Sequence, residues 1–561
     1  MKIIYSLGID FGTNSVRALI LDLANGTEVS CAVHPYPSGM QGILLDDHNH
    51  HLARQNPADY LLSMEQAVKK AVQAAVKNGV DIIQIKGIGI DATGSTPLPV
   101  DQKLVPLAFQ ERFKNNPNAQ AWLWKDHTAT EEAAEITGLA KKIRPEYLKK
   151  CGGSYSSEWF FSKIYRCFHV DREVFDAAYS WMELSDYIPA VLSGADDLSK
   201  AKRNICAAGH KAMYNDSWGG LPDKDFLDQL SPELAKLRDC LYNKTFTFEE
   251  IAGNLSKEWA DKFGLPAGIP IAAGALDAHV GAIGSGVGKN TMVKVIGTST
   301  CDIMVFPENE KVNDIAGVSG VVRGSVLPGY IGVEAGQSAV GDIFNWFVQK
   351  VLKKEEEHQQ ELSIRSQKLK AGESGLLALD WNNGNRNVLA DADLTGLLIG
   401  QTINTADHEI YRALIEATAF GSLAIIERIE SYGIKIDKVI NCGGISQKNP
   451  MLMQIYANVL NRPMEIADSE QTVAVGAAMM GAYAALKGQP GFENIETIQK
   501  RICRVKEIKY YPEAGEQKVY RSLYVLYKKL HDAFGLPDNK IDLYSVMKDL
   551  LKIKSEVSRK H

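Results

Sequence analysis

The chain runs to 561 residues, 45% of them hydrophobic and 23% charged, with a formal net charge of −6. That length exceeds what one hydrophobic core supports, so two or more domains are expected. Nucleic-acid binding needs a basic stripe, and the one basic cluster, the tail KIKSEVSRKH, reads as a solvated terminus.

IIYSLGID, SVRALILDL and TEVSCAVHPY are predicted as three antiparallel strands, the last two joined through Asn25-Gly26, a strong hairpin signal. PADYLLSMEQAVKKAVQAAVKNG follows with apolar residues at helical spacing and Gly79 as its stop. IIQIKGIGID is then a strand ending at Asp91. Three strands, a helix and a further strand imply an α/β layer with a mixed sheet. After a Gly/Pro-bearing stretch, KFGLPAGIP, the pattern returns: PIAAGALDAHVGAIGSG precedes TMVKVIGTSTCDIMVF, a second strand, Gly turn and strand. YRALIEATAFGSLAIIERIESYG is a long helix, KVINCGGIS a strand into a turn, and TVAVGAAMMGAYAAL a small-residue helix. EQKVYRSLYVLYKKLHDAF closes the pattern as an amphipathic helix. Two related α/β domains, 1–262 and 263–561, are therefore expected to face a cleft.

Eight Cys are scattered without a CxxC pair, the pattern of reduced intracellular thiols. Asp10 interrupts MKIIYSLGID before a signal-peptide apolar region forms. No apolar run approaches the roughly 18 to 20 residues of a membrane span. A cytoplasmic enzyme without membrane or nucleic-acid partners is expected.

The chemistry concentrates at the repeated turns. Asp10 sits between Gly8 and Gly12 on an apparent core strand, where Gly marks a close approach and a buried carboxylate needs a cation. Gly12, Thr13 and Asn14 in one unit, and Gly297, Thr298, Ser299 and Thr300 in the other, end strands with small and hydroxyl-bearing residues. Such turns aim N–H groups and hydroxyls at a phosphate. Asp10 would then hold Mg²⁺ through water beside a nucleotide. Either turn alone fits an ordinary hairpin equally well; the pair at equivalent places favours the ligand. Gly443-Gly444, in a stretch that runs to Asn449 and Pro450, would let an adenine ring pack on the backbone, although a plain strand-to-helix turn explains it as well. Asp277, amid small apolar residues, suits a general base or a helix N-cap, and His279 beside it reads as a core histidine.

Other patterns fail. Gly284 to Asn290 lacks the first Gly and the final Ser/Thr of a P-loop. Gly87 to Gly94 lacks the dinucleotide-binding spacing. Gly336 to Gly341 misses a GxSxG elbow by one residue, and His48 to His51 reads as a solvated loop rather than a metal site.

With these residues together, the chain resembles the FGGY carbohydrate kinases, whose fold is the actin-like ATPase (ribonuclease H-like) fold. Asp10 with its glycines and Gly297 to Thr300 look like that fold's two phosphate turns. Gly443-Gly444 looks like its adenosine turn, and Thr395-Gly396-Leu397 through Phe420 like the family's C-terminal signature. Segments around Asp91 to Pro97, Leu123 to Thr128, Tyr155 to Trp159, Gly209 to Lys211 and Val333 to Ser338 look like those of the family's ketopentose kinases.

The resemblance implies two domains flanking a deep cleft and ATP with Mg²⁺ as cofactors. It also implies a sugar held by Lys211, Asp277 and Glu334 with Gly94 or Ser95 lining its pocket, and a homodimer by family habit. The activity it implies is phosphorylation of L-ribulose at O5, with Asp277 as base and domain closure excluding water. D-ribulose, ribitol and xylulose are the alternative substrates. A conformational ATPase of the actin or chaperone kind is the rival that the phosphate turns alone would also serve.

Overall fold

The computed structural model describes residues 4–310 and 314–559. The first three residues of the opening apolar run and the last two of the basic tail lie outside them. Two mixed sheets repeat one topology. In the first, β1 (Tyr5–Phe11), β2 (Ser15–Asp22) and β3 (Glu28–Pro35) form an antiparallel meander. β4 (Ile85–Ala92) lies parallel to β1. Beyond β4 come β5 (Ile251–Asn254), β6 (Pro270–Ala272) and β7 (Ala275–Leu276), giving the order β5-β6-β4-β1-β2-β3 with β7 also on β4. Strands β6 and β7 lie after residue 262 in the chain, yet join this first sheet.

The second sheet contains β8 (Thr291–Ile296), β9 (Thr300–Pro307), β10 (Gly320–Arg323), β11 (Tyr330–Ala335), β12 (Lys438–Cys442) and β13 (Met464–Ile466). Its order is β10-β11-β9-β8-β12-β13, with β12 parallel to β8 as β4 is to β1. The strand, Gly turn and strand unit therefore occurs twice in the same surroundings.

Helix α1 (Pro57–Lys77) follows from its sequence. The Asn56 side chain caps it through Ala58 N–H, Pro57 fits the first turn, and Gly79 at φ +84° ends it. Its buried face is Tyr60, Met64, Ala67, Val68, Ala71 and Ala75, at the spacing of one helical stripe.

Two helices lie at the join of the units, α3 (Asp277–Gly284) after β7 and α6 (Thr472–Leu486) after β13; α2 (Ile205–Lys211) precedes them, and α4 (Asp407–Glu430) and α5 (Pro450–Leu460) cover the second sheet. The small-residue pattern of α6 has a steric cause. A Cβ on Gly8, Gly87 or Gly89 would stand 2.0, 2.1 or 1.7 Å from the carbonyl oxygens of Ala474, Gly481 and Ala477. Gly284 meets Thr472 and Gly476 meets Val280 in the same way, at 1.9 and 2.1 Å. Gly8 therefore admits a helix and not a ligand, which corrects the sense in which the opening strand predicts a close approach. No helix among the described residues is long and apolar enough to cross a membrane.

Candidate active site

Strand register delivers three carboxylates to one edge of the first sheet. Asp10 on β1 is the register partner of Asp91 on β4, within a run pairing Gly8 with Gly89 and Ile9 with Ile90. β7 pairs with the end of β4 through Ala275–Asp91 and Leu276–Ala92, so Asp277 begins α3 beside them. Leu276 holds the N-cap position, and Asp277 Oδ1 accepts from Ala278 N at 2.7 Å.

Arg17, opposite Asp10 on β2, donates to Asp10 Oδ2 at 2.9 Å. Both oxygens of Asp91 are buried without a donor. Burial raises the Asp10 carboxyl and Arg17 opposes that rise. Burial, then Asp10 and Asp277, push Asp91 well above the ordinary carboxylate range. Burial and Asp10 push Asp277 up to about 7. Three carboxyl groups crowd one guanidinium and oppose one another's ionisation, so the residues present fit a hard divalent cation that would let them ionise. Asp91 is absent from the sequence-based site, although the repeated Gly-Ile-Asp at 8–10 and 89–91 is a signal for it.

The residues expected to hold a sugar come from both units. Lys211 ends α2, and its Nζ donates to Glu334 Oε1 and Oε2 on β11 at 2.8 and 3.0 Å. Burial favours the neutral forms of both, but their mutual attraction outweighs it: Lys211 is raised and Glu334 is held well below the carboxylate range. The Asp277 carboxyl feels both charges.

At Gly94 a Cβ would strike the Leu276 side chain. Ser95 is wholly buried with its hydroxyl bound to Glu183, and its carbonyl accepts from Lys163 Nζ at 2.7 Å. This loop can therefore offer a ligand its backbone and not the Ser95 hydroxyl. Burial of Glu183 raises its carboxyl to about 7 even though Ser95 and Thr96 donate to it.

The turns expected to hold a nucleotide lie at matching strand ends. Gly12 N donates to Ser15 O at 3.0 Å, closing the β1–β2 turn. Thr13 Oγ1 accepts from Trp124 Nε1 at 3.1 Å, while Asn14, exposed, donates to Gln41 O at 2.7 Å. In the second unit Gly297 and Thr298 are exposed between β8 and β9, with Ser299 half-buried and Thr300 buried. Val340 N and Asp342 N donate to Thr298 O at 2.7 and 3.1 Å and hold the turn in shape. Val295 pairs with Cys442, so Gly443 and Gly444 leave β12 beside this turn. Gly443 has φ +91°, and a Cβ there would meet Ile296 O at 2.5 Å; at Gly444 a Cβ would meet nothing within 4 Å. Asn449 Oδ1 caps α5 through Leu452 N at 3.0 Å, which leaves its Nδ2 available.

Asp10, Asp91, Asp277, Lys211 and Glu334 thus form one group, and the turns at 297–300 and 443–444 another. Lys125 follows the Trp124 that bonds Thr13 and feels Asp342 of the second unit. Half-burial lowers its pKa against the attraction of Asp342, which is bonded through its N–H to Thr298. A surface hollow of about 740 Å³ near Phe175, Glu233 and Cys240 holds none of these residues.

A model of the FGGY family of carbohydrate kinases, N-terminal domain, matches residues 5–284, and that of the C-terminal domain matches 292–485. The ribulokinase of Shouchella clausii is 40% identical over 98% of this chain and 98% of its own length. That of Halalkalibacterium halodurans is 39% identical over 98% of each. Among solved structures, a xyloylose kinase from Brucella ovis has a TM-score of 0.77 at 19% identity, covering 94% of this chain and 99% of that one. Plasmodium falciparum glycerol kinase with ADP has a TM-score of 0.75 at 16% identity, covering 95% and 98%. At these identities the structures establish the two-domain α/β fold.

Proposed function

The chain belongs to the FGGY family of carbohydrate kinases, and from that premise we propose that it transfers the γ-phosphoryl group of ATP to O5 of L-ribulose, giving L-ribulose 5-phosphate. The observation that carries the substrate is the whole-chain identity to the two ribulokinases. A ketopentose is a row of hydroxyls, and the buried Lys211–Glu334 pair offers charged donors and acceptors that orient them. The backbone at Gly94 and Ser95 lines the same pocket.

Asp277 takes the proton of the attacking hydroxyl. Its carboxyl, raised to about 7, has proton affinity matched to that task near neutral pH. Exposed Gly297 and Thr298 with Ser299, and Gly12 with Thr13, face the phosphates with N–H groups and hydroxyls. Thr300 braces its turn by accepting Gln337 N at 2.9 Å. Gly443 and Gly444 give the adenine a bare backbone, edged by Asn449, while Asn14 extends the first phosphate turn. Asp10, backed by Asp91, would hold Mg²⁺, which when bound neutralises phosphate charge. Positioning and electrostatics dominate such transfers, and closure of the two units over the substrates excludes water.

A coupled assay of ADP release, run over L-ribulose, D-ribulose, ribitol and xylulose, tests this reading. The highest kcat/KM is expected for L-ribulose. A better alternative substrate overturns the choice of sugar, and turnover indifferent to any sugar favours a conformational ATPase.

A further inference from the structure

Beside the Lys211–Glu334 pair lie two imidazoles that the proposed transfer does not use, and their hydrogen bonding does not close. His210 of α2 and His279 of α3 pack with ring centroids 4.5 Å apart and planes tilted by 47°. His210 Nε2 and the Ser325 hydroxyl lie 3.0 Å apart, and that hydroxyl also stands 3.1 Å from Val322 O. His210 Nδ1 has no hydrogen-bond partner and stands 3.4 Å from Glu334 Oε2.

His279 Nε2 stands 3.5 Å from the same oxygen, and neither ring nitrogen of His279 has a hydrogen-bond partner. Exposure is 2% for His210, 1% for His279 and 4% for Glu334. Gly320 packs its main chain against this ring: a Cβ there would come within 2.0 Å of His210 Nδ1 and 2.6 Å of its Cε1.

We propose that His210 Nδ1, His279 Nε2 and Glu334 Oε2 form a site for a transition-metal dication, Zn²⁺ first among them, whose occupation competes with the sugar. Two imidazoles and a carboxylate are a recurrent zinc set. Zinc bonds of about 2.0–2.1 Å place tetrahedral ligands roughly 3.3–3.4 Å apart, against the 3.4 and 3.5 Å found here. The three atoms all lie within 4.8 Å of one another. The fourth position is left for water. Lys211 already donates to both Glu334 oxygens, so metal and ammonium contend for one carboxylate. The competition with sugar rests on the reading of Lys211 and Glu334 as sugar contacts; the metal site itself does not.

The full chain, in chelator-free buffer without ATP, is titrated with Co²⁺, whose visible d–d bands report tetrahedral coordination, and Zn²⁺ is then used to displace it. One equivalent is expected to give the tetrahedral bands, whatever further Co²⁺ the carboxylates near Asp10 hold through oxygen. His279→Gln and His210→Gln should each weaken binding about 100-fold or more, with far-UV circular dichroism confirming their fold. Lys211→Met removes the contender and should tighten it. L-Ribulose at about ten times its own Kd should raise the apparent Kd for Co²⁺ about tenfold in the wild type.

Absence of saturable wild-type binding, or binding unchanged in both histidine variants, overturns the site. Binding indifferent to L-ribulose overturns the competition. Sugar-stimulated ADP release measured without Co²⁺ or Zn²⁺ separates the two ideas. Phosphorylation of L-ribulose by a chain that binds no Co²⁺ sinks only the metal site, and Co²⁺ binding without sugar-dependent turnover sinks only the kinase reading of the substrate.

Discussion

The two strand, turn and strand units share a topology and differ in charge. Aligning Gly12-Thr13 with Gly297-Thr298 sets Asp10, partnered by Asp91, against Val295, partnered by Cys442. Each unit also carries a cross-strand ion pair. In the first, Arg17 answers one of three clustered carboxylates. In the second, Lys294 and Asp302 are fully buried and neutralise each other at 2.7 Å. One scaffold therefore keeps a surplus of negative charge at one turn and removes it at the other. The first adds room for a cation and a proton acceptor to its N–H groups, and the second presents N–H groups and hydroxyls alone.

The largest test of that division is Asp277→Asn, which keeps the side-chain shape and removes the base. Turnover should fall roughly 10²-fold or more with the sugar KM near wild type; a near-normal kcat would remove Asp277 from the chemistry. Asp10→Ala should weaken the response to Mg²⁺ roughly 10- to 100-fold, as loss of an outer-sphere partner does, and an unchanged Mg²⁺ titration would move the metal elsewhere. The pH profile comes next. Asp277 is raised to about 7, so its basic form is lost as pH falls through that value. kcat/KM should then drop about tenfold per unit on the acid side, and a profile flat down to pH 5 would contradict the charge surplus. Smallest is Thr298→Val in the neutral unit. Loss of one hydroxyl, worth about 1 kcal/mol, should raise the ATP KM about fivefold and leave the sugar KM alone. An equal effect on both would blur the division.

Much of this was legible because short-range signals and function coincide. The opening meander, α1, α4 and α6 follow from alternation, helical spacing, Asn-Gly and small-residue patterns. Both strand, Gly turn and strand units follow from repetition. What escaped depends on pairing between distant segments. Asp91 joins Asp10 only through parallel register, although both carry Gly-Ile-Asp. His279 reads as a core histidine until α2 brings His210 against it and β11 brings Glu334. Ser95 is expected to line the sugar pocket, but Glu183, on a strand paired with Pro97–Val100, takes its hydroxyl. Gly8 announces close approach without saying what approaches.

What approaches Gly8 bears on how the chain can be divided. Helix α6 lies, but for its last residue, within the segment matched by the C-terminal family model, yet its carbonyls sit against glycines of β1 and β4 in the N-terminal one. Cutting between residues 284 and 292 would bare that glycine surface on one fragment and leave Ala474, Ala477 and Gly481 without a sheet on the other. A chimaera that exchanges halves between relatives must carry β1, β4 and α6 from the same parent, because a single methyl group on either side of the seam has no room. The units of inheritance here are not the two halves that the sequence advertises.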